Sequence, residues 1–125
     1  MARILLADDD TRVREAVAAI LEDAGHEVLQ ALDGDHALKS FRARPVDVVV
    51  CDLFMPGKDG LETIQELRKL APGVKILAMS GSGFNGAVDM LRTALHLGAI
   101  EVLGKPVRRK HLLAAVDRLL EKARG

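Results

Sequence analysis

Asp8 and Asp9, Asp52, Ser80 and Lys105 each stand where a short apolar run gives out. The runs cover residues 4–7, 46–51, 74–79 and 100–103. Three carboxylates, a hydroxyl and an ammonium suit one chemistry if the fold collects them. Crowded carboxylates repel one another, and a hard divalent cation relieves the repulsion. Oxygen ligands with room for water suit Mg²⁺. A phosphoryl group completes such a site, with the cation and Lys105 neutralising its oxygens and Ser80 donating a hydrogen bond. Positioning and charge stabilisation are most of what phosphoryl transfer requires. One carboxylate can serve as the nucleophile, and the chemistry alone does not choose among the three.

The elements that must position these residues follow an alternating pattern. After the first strand, Val13, Val17, Ile20, Leu21 and Ala24 recur at helical spacing, and Gly25 stands where a left-handed cap is wanted. Residues 27–31 read as a second strand, Asp33-Gly34 as a turn, and Ala37, Leu38 and Phe41 as a helix ending before Pro45. Val48, Val49, Val50 and Cys51 are apolar without alternation, the mark of a strand buried between two helical layers. Leu61, Ile64, Leu67, Arg68 and Leu70 predict a helix closed by Pro72-Gly73. A further helix over Val88, Leu91, Leu95 and Leu97 ends at Gly98. Leu112, Leu113, Val116, Leu119 and Leu120 form the last one. Five βα units in series predict an α/β fold, a five-stranded parallel sheet wound on both faces by right-handed crossovers. In such sheets ligands bind beyond the carboxyl ends of the strands, where the strand order reverses. The five chemical residues all fall at those ends.

Length and composition bound the rest. With 125 residues the chain is sized for one domain, residues 1–125. Aromatics are only 2%, with no Trp or Tyr, so the core must be aliphatic. Lys plus Arg (18) balances Asp plus Glu (18), which argues against nucleic acid as a primary partner. One cysteine, Cys51, cannot form an internal disulfide, and the start is neither a signal peptide nor a spanning segment. A cytoplasmic protein without a membrane partner is the expectation.

Asp8-Asp9, Asp52 followed by Met55-Pro56 and Asp59-Gly60, Ser80-Gly81 and Lys105-Pro106 together resemble the receiver domain of two-component response regulators. The resemblance runs from Arg3 to about Ala123. It implies the flavodoxin-like (βα)5 strand order 2-1-3-4-5. It also implies that Asp52 accepts phosphate from a sensor histidine kinase or phosphotransfer protein, and that a conformational change then signals to an unidentified downstream protein. By the same resemblance Asp9 and Asp52 ligate Mg²⁺ directly, Asp8 does so largely through water, and the Phe54 backbone carbonyl adds a ligand. Ser80 and Lys105 bind the phosphoryl oxygens, and Lys105-Pro106 is expected to be cis. Such a domain promotes only its own phosphorylation and dephosphorylation and is not otherwise an enzyme.

Two features depart from the family. The position where it usually carries a switch aromatic holds Val102. The stretch from Ser80 to Gly98 is a few residues longer than the commonest form, with a glycine-rich loop over 80–86 that contains Phe84. Phosphorylation is expected to switch residues 82–86 of that loop and the start of the following helix, since Val102 cannot make the aromatic's move. Two other functions compete. A Mg²⁺-dependent aspartyl-phosphate hydrolase of the haloacid-dehalogenase kind should carry Asp-x-Asp-x-Thr/Val after its first strand. Here the run is Asp8-Asp9-Asp10-Thr11-Arg12. A pseudo-receiver that never takes phosphate would not need the full set of acids, hydroxyl and lysine. Among the remaining polar residues, Asp10 reads as a helix cap, Cys51, Met55 and Met79 as packing, the four histidines as surface, and Arg108-Arg109-Lys110 as a solvated face.

Overall fold

A computed structural model of the chain describes residues 2–55, 59–81, 92–99 and 101–124. The strands are β1 (Arg3–Ala7), β2 (Glu27–Ala31), β3 (Val48–Asp52), β4 (Lys75–Ser80) and β5 (Glu101–Gly104). The helices are α1 (Thr11–Asp23), α2 (Gly34–Ala43), α3 (Gly60–Leu70), a helical stretch over residues 92–97 designated α4, and α5 (Arg109–Arg124). All strand pairs are parallel and the order is β2-β1-β3-β4-β5. The order reverses between β1 and β3, so a crevice opens beyond their carboxyl ends.

The period-2 geometry of a strand sorts the core into two layers. Leu5, Ala7, Val49, Cys51, Ile76 and Ala78 face one side, where Ala37, Leu38, Phe41, Ile64 and Leu67 cover them. Ile4, Leu6, Val48, Val50, Leu77 and Met79 face the other, beneath Val17, Ala18 and Leu21 of α1 and Leu112, Val116 and Leu119 of α5. The buried stripe of α1 is Arg14, Val17, Ala18 and Leu21. The apolar spacing pointed to Val13, Val17, Ile20, Leu21 and Ala24 instead. Val13 and Ile20 are half-buried and Ala24 is exposed. An arginine occupies the position where an aliphatic residue would continue the stripe.

The starts of α1, α2 and α3 are carried by aspartates. Asp10 caps α1, accepting from the N–H groups of Arg12 (3.0 Å) and Val13 (3.2 Å). Asp33, read from sequence as part of a turn, caps α2 by accepting from the His36 N–H at 2.8 Å. Asp59 caps α3 through the Glu62 N–H at 2.9 Å. At the other end of α1, Gly25 has φ +96°, the left-handed conformation its position called for. Gly60 answers a different need. A Cβ there would run into the backbone of Asp52 and Leu53, so α3 begins pressed onto the main chain that carries Asp52. Backbone cannot swing aside as a side chain can. Gly60→Ala is therefore expected to cost roughly 3 kcal/mol, seen as a lowered midpoint in a denaturant melt, with the peptide of Asp52 displaced.

β3, β4 and β5 are displaced from the apolar runs by a residue or two toward the carboxyl edge, whereas β1 starts one residue earlier, at Arg3. Apolarity suggested residues 46–51 and 74–79, and the ladders run through Asp52 and Ser80. At the start of β3, Asp47 receives the Arg3 N–H on its side chain at 2.8 Å, while its own N–H goes to the Arg3 carbonyl at 2.9 Å. At the far end Asp52 pairs with Met79, and Ser80 pairs with Gly104. The last of the apolar runs began at Ile100, which lies outside the described residues. Among the described residues no helix is long and apolar enough to cross a membrane.

Candidate functional site

The fold brings together the five residues that the sequence placed at strand ends. The carboxylates of Asp8, Asp9 and Asp52 offer oxygens that all lie within 4.8 Å of one another. Lys105 Nζ stands 2.9 Å from Asp8 Oδ2 and 3.3 Å from Asp52 Oδ1. Asp8 and Asp52 are buried, at 0% and 3% exposure, whereas Asp9 is exposed at the rim. Ser80 is buried at the end of β4, and its hydroxyl donates to the Gly81 carbonyl at 3.3 Å. That bond is long and local, so the hydroxyl can be redirected at little cost.

Each polar group of Asp8 is held. Its N–H donates to the Ala31 carbonyl at 3.1 Å, Oδ1 accepts from the Asp10 N–H at 2.9 Å, and Oδ2 accepts from Lys105. Its carbonyl accepts from Arg14 Nη1 at 3.0 Å. Asp52 is held less completely. Its Oδ1 is buried and makes no hydrogen bond. The nearby ammonium attracts this oxygen by charge without a well-directed hydrogen bond. A buried acceptor left in that state is costly and suits an electropositive ligand.

Electrostatics agree. Burial, and then the charge of Asp8, push the Asp52 carboxyl from its ordinary 3.8 up to about 6, against the opposing pull of Lys105 and the Phe54 N–H. Burial works against the Lys105 ammonium, but its hydrogen bond to Asp8 and the charges of Asp52 and Asp8 outweigh this, so its pKa is raised. Two buried acids share one lysine, leaving the cluster short of positive charge. The donor set is all oxygen and acidic, which fits a hard divalent cation.

Lys105 is aimed by the chain around it. Its N–H donates to the Ser80 carbonyl at 2.8 Å, tying the end of β5 to β4, and the Lys105-Pro106 peptide is cis as expected. Phe54 lies two residues beyond Asp52 and is 51% exposed. Val102, opposite Ala78 in the ladder, is half-buried against the layer of α2 and α3. Phe84 and residues 82–86 of the glycine-rich loop lie outside the described residues. Asp10, adjacent to the cluster, spends its side chain on the helix cap. Asp10 is thus tied to the helix cap, whereas Asp9 offers an oxygen to the acidic cluster. Asp9→Ala is expected to weaken Mg²⁺ binding about 10-fold or more, with little loss of stability. Asp10→Ala is expected to cost about 1 kcal/mol of stability and leave the metal affinity nearly unchanged. Calorimetric titration and a denaturant melt of each variant check the pair.

Other readings fare variously. Cys51 is buried and its thiol pKa pushed well up by burial, in keeping with packing. Met55 and Met79 are buried as well. His36, His96 and His111 are exposed, but His26 is half-buried, its Nδ1 accepting the Ala2 N–H at 3.2 Å. Within the basic run, Arg109 forms an exposed ion pair with Asp23 at 2.8 Å. Sequence reasoning missed Arg14 and the steric role of Gly60. A charge interrupting an otherwise apolar helical stripe was the available sign of the first.

Comparison with known proteins gives the same picture. The family model described as response regulator receiver domain matches residues 4–117. A protein-glutamate methylesterase/protein-glutamine glutaminase of Paramagnetospirillum magneticum is 37% identical, over 92% of this chain and 30% of its own length. The nitrogen assimilation regulatory protein NtrX of Azorhizobium caulinodans is 32% identical, over 97% of this chain and 26% of its own. The chain thus spans between a quarter and a third of these curated relatives. The receiver domain of NtrX from Brucella abortus superposes with a TM-score of 0.88 at 33% identity, covering 94% of this chain and 98% of that one. A response regulator receiver domain protein from Clostridium thermocellum gives 0.92 at 29% identity, covering 99% and 98%. A doubly wound sheet with an acidic crevice at its switch point is the frame of a phosphate-responsive signalling module. The chain belongs to the response regulator receiver domain family.

Proposed function

We propose that Asp52 is the phosphate-accepting residue and that Asp8, Asp9 and Asp52, with the backbone carbonyl of Phe54, hold Mg²⁺. The observation that carries this reading is the buried Asp52 Oδ1, which makes no hydrogen bond beside two further carboxylates and a lysine. A carboxylate oxygen of Asp52 attacks the phosphorus of a phosphohistidine on a sensor kinase or phosphotransfer protein. The P–N bond breaks, its electron pair returns to the imidazole, and an acyl phosphate remains on Asp52. Mg²⁺, when bound, neutralises charge on the phosphoryl oxygens. Lys105 exchanges its contact with Asp52 for one phosphoryl oxygen, and Ser80 turns its hydroxyl from Gly81 to another. Burial keeps the nucleophile from full hydration, so these charges act at short range in a poorly screened site.

In this reading the whole chain is one receiver unit, cytoplasmic, that signals by engaging a downstream protein and turns over no substrate besides its own phosphate. Incubation with acetyl phosphate and Mg²⁺, followed by borohydride trapping and peptide mass mapping, is expected to place a single acyl phosphate on Asp52. Label on Asp8, Asp9 or a hydroxyl would overturn the assignment.

A further inference from the structure

The geometry points to Arg14 as a positioning residue for the metal-binding acids, a role that rests on the reading of Asp8, Asp9 and Asp52 given above. Arg14 is only 7% exposed, in the buried stripe of α1 beside Val17, Ala18 and Leu21. Burying a guanidinium is costly unless its donors are used. Nη1 donates to the Asp8 carbonyl at 3.0 Å and Nε to Gln30 Oε1 of β2, also at 3.0 Å. Both acceptors are neutral oxygens, so neither cancels the charge. What the guanidinium holds is the peptide plane joining Asp8 to Asp9, where the chain leaves the sheet.

That plane sets the direction from which the Asp9 side chain leaves the backbone. The side chain of Asp8 is fixed by Lys105 and the Asp10 N–H, and its own N–H by Ala31. Arg14 supplies the hold on the remaining polar group, the carbonyl. Rotation of the plane would re-aim Asp9, which sits exposed at the rim. Gln30 in turn fixes the guanidinium, so a side chain on β2, a strand that contributes no site residue, bears on the metal site. A rigid planar fork can serve both acceptors at once, and a lysine can serve one.

Three variants test this: Arg14→Gln, Arg14→Lys and Gln30→Leu. Mg²⁺ affinity is measured by calorimetry on the unphosphorylated protein, and amide exchange at Asp10 on the metal-free protein. Partners that orient metal ligands are worth about 10- to 100-fold in affinity. Arg14→Gln is expected to weaken Mg²⁺ binding about 10-fold and to speed exchange at Asp10. Arg14→Lys is expected to recover part of the loss. Gln30→Leu is expected to weaken binding a few-fold in wild type and not at all when added to Arg14→Gln. Phosphorylation by acetyl phosphate should need more Mg²⁺ in each variant, yet reach within about 2-fold of the wild-type rate at saturation. Lowered stability with wild-type Mg²⁺ affinity would overturn the role and leave Arg14 as a tie between α1 and β2. Should Arg14→Gln not fold, unchanged affinity in both Arg14→Lys and Gln30→Leu overturns it equally. A wild-type protein that binds no Mg²⁺ overturns the reading of the acids themselves, an outcome distinct from either.

Discussion

Asp52→Asn is expected to abolish phosphorylation by acetyl phosphate and, at the same time, to stabilise the metal-free protein at neutral pH. The first effect follows from chemistry, since a neutral amide oxygen is a far poorer nucleophile than a carboxylate. The second follows from the site's electrostatics. In the folded protein the Asp52 carboxyl is pushed up to about 6 from an ordinary 3.8, by burial first and by Asp8 second. The folded state therefore binds more protons than the unfolded state between those values, and stability falls as pH rises through that window. Above it the ionised carboxylate opposes folding by roughly 3 kcal/mol, taken from the full shift, and by something nearer 2 kcal/mol once water at the rim is allowed for. Asparagine has the shape of the protonated acid without the charge. Urea melts of the metal-free proteins should then coincide near pH 3.5 and separate above pH 6, with the variant more stable by about 2 kcal/mol. Saturating Mg²⁺ should narrow the gap by stabilising the wild type. A variant less stable than wild type at pH 7.5 without metal would show that Asp52 is not the strained group in the cluster.

Removing the lysine should act in the opposite sense. Lys105→Met leaves Asp8, at 0% exposure, and Asp52, at 3%, without their shared counter-charge. Breaking a buried charge pair by deleting one partner costs about 3 to 5 kcal/mol. The ammonium's pKa is raised in the folded protein, so its contribution is fully present below 10.5 and fades only at higher pH. The variant's deficit should therefore be largest between pH 6 and 9 and shrink toward pH 3.5, where the Asp52 carboxyl is neutral. Mg²⁺ should recover much of the lost stability, but not the rate of phosphorylation, because no other described cation stands ready to meet the phosphoryl oxygen. Denaturant melts across pH, with and without Mg²⁺, separate these effects. Equal stability of variant and wild type at pH 7.5 would mean that the lysine contacts are not formed in solution.

How far the site could be read in advance depends on what kind of signal each residue leaves. Asp8, Asp9, Asp52, Ser80 and Lys105 were legible because a parallel sheet turns sequence position into spatial position: strand ends gather at one edge. Asp10 was legible as a cap because it heads a helix. The extension of β3 and β4 through Asp52 and Ser80 was not, since apolarity stops at the last hydrophobic residue while ladder hydrogen bonds ignore side-chain polarity. Asp33 carries no sequence signal that separates a turn from a helix start, because an Asp-Gly pair serves both alike. Arg14 was hidden for another reason. Its neighbours Val13 and Ile20 offered an equally regular apolar stripe, displaced around the helix from the true one. Only the acceptors on Asp8 and Gln30, distant in sequence or on the main chain, explain why a charge is buried there. Gly60 belongs to the same class, because its need for no side chain arises from backbone it meets only in the folded state.

The extension of the strands has a consequence for the direction of approach. Asp52 ends a strand that is buried throughout, and Ser80 ends the next, both with almost no exposed surface. The carboxylate is thus buried, with the exposed Asp9 and the half-buried Lys105 beside it. An in-line displacement needs the departing atom on the far side of phosphorus from the attacking oxygen. With Asp52 as the proposed acceptor, its burial at the end of β3 leaves the solvent side as the side from which a donor comes. If Asp52 is the acceptor, a donor has to bring its phosphoryl group in on a stem, with its leaving atom trailing toward solvent. Small acyl phosphates and a ring projecting from a convex surface satisfy this, and a phosphate lying flush on a broad flat face does not.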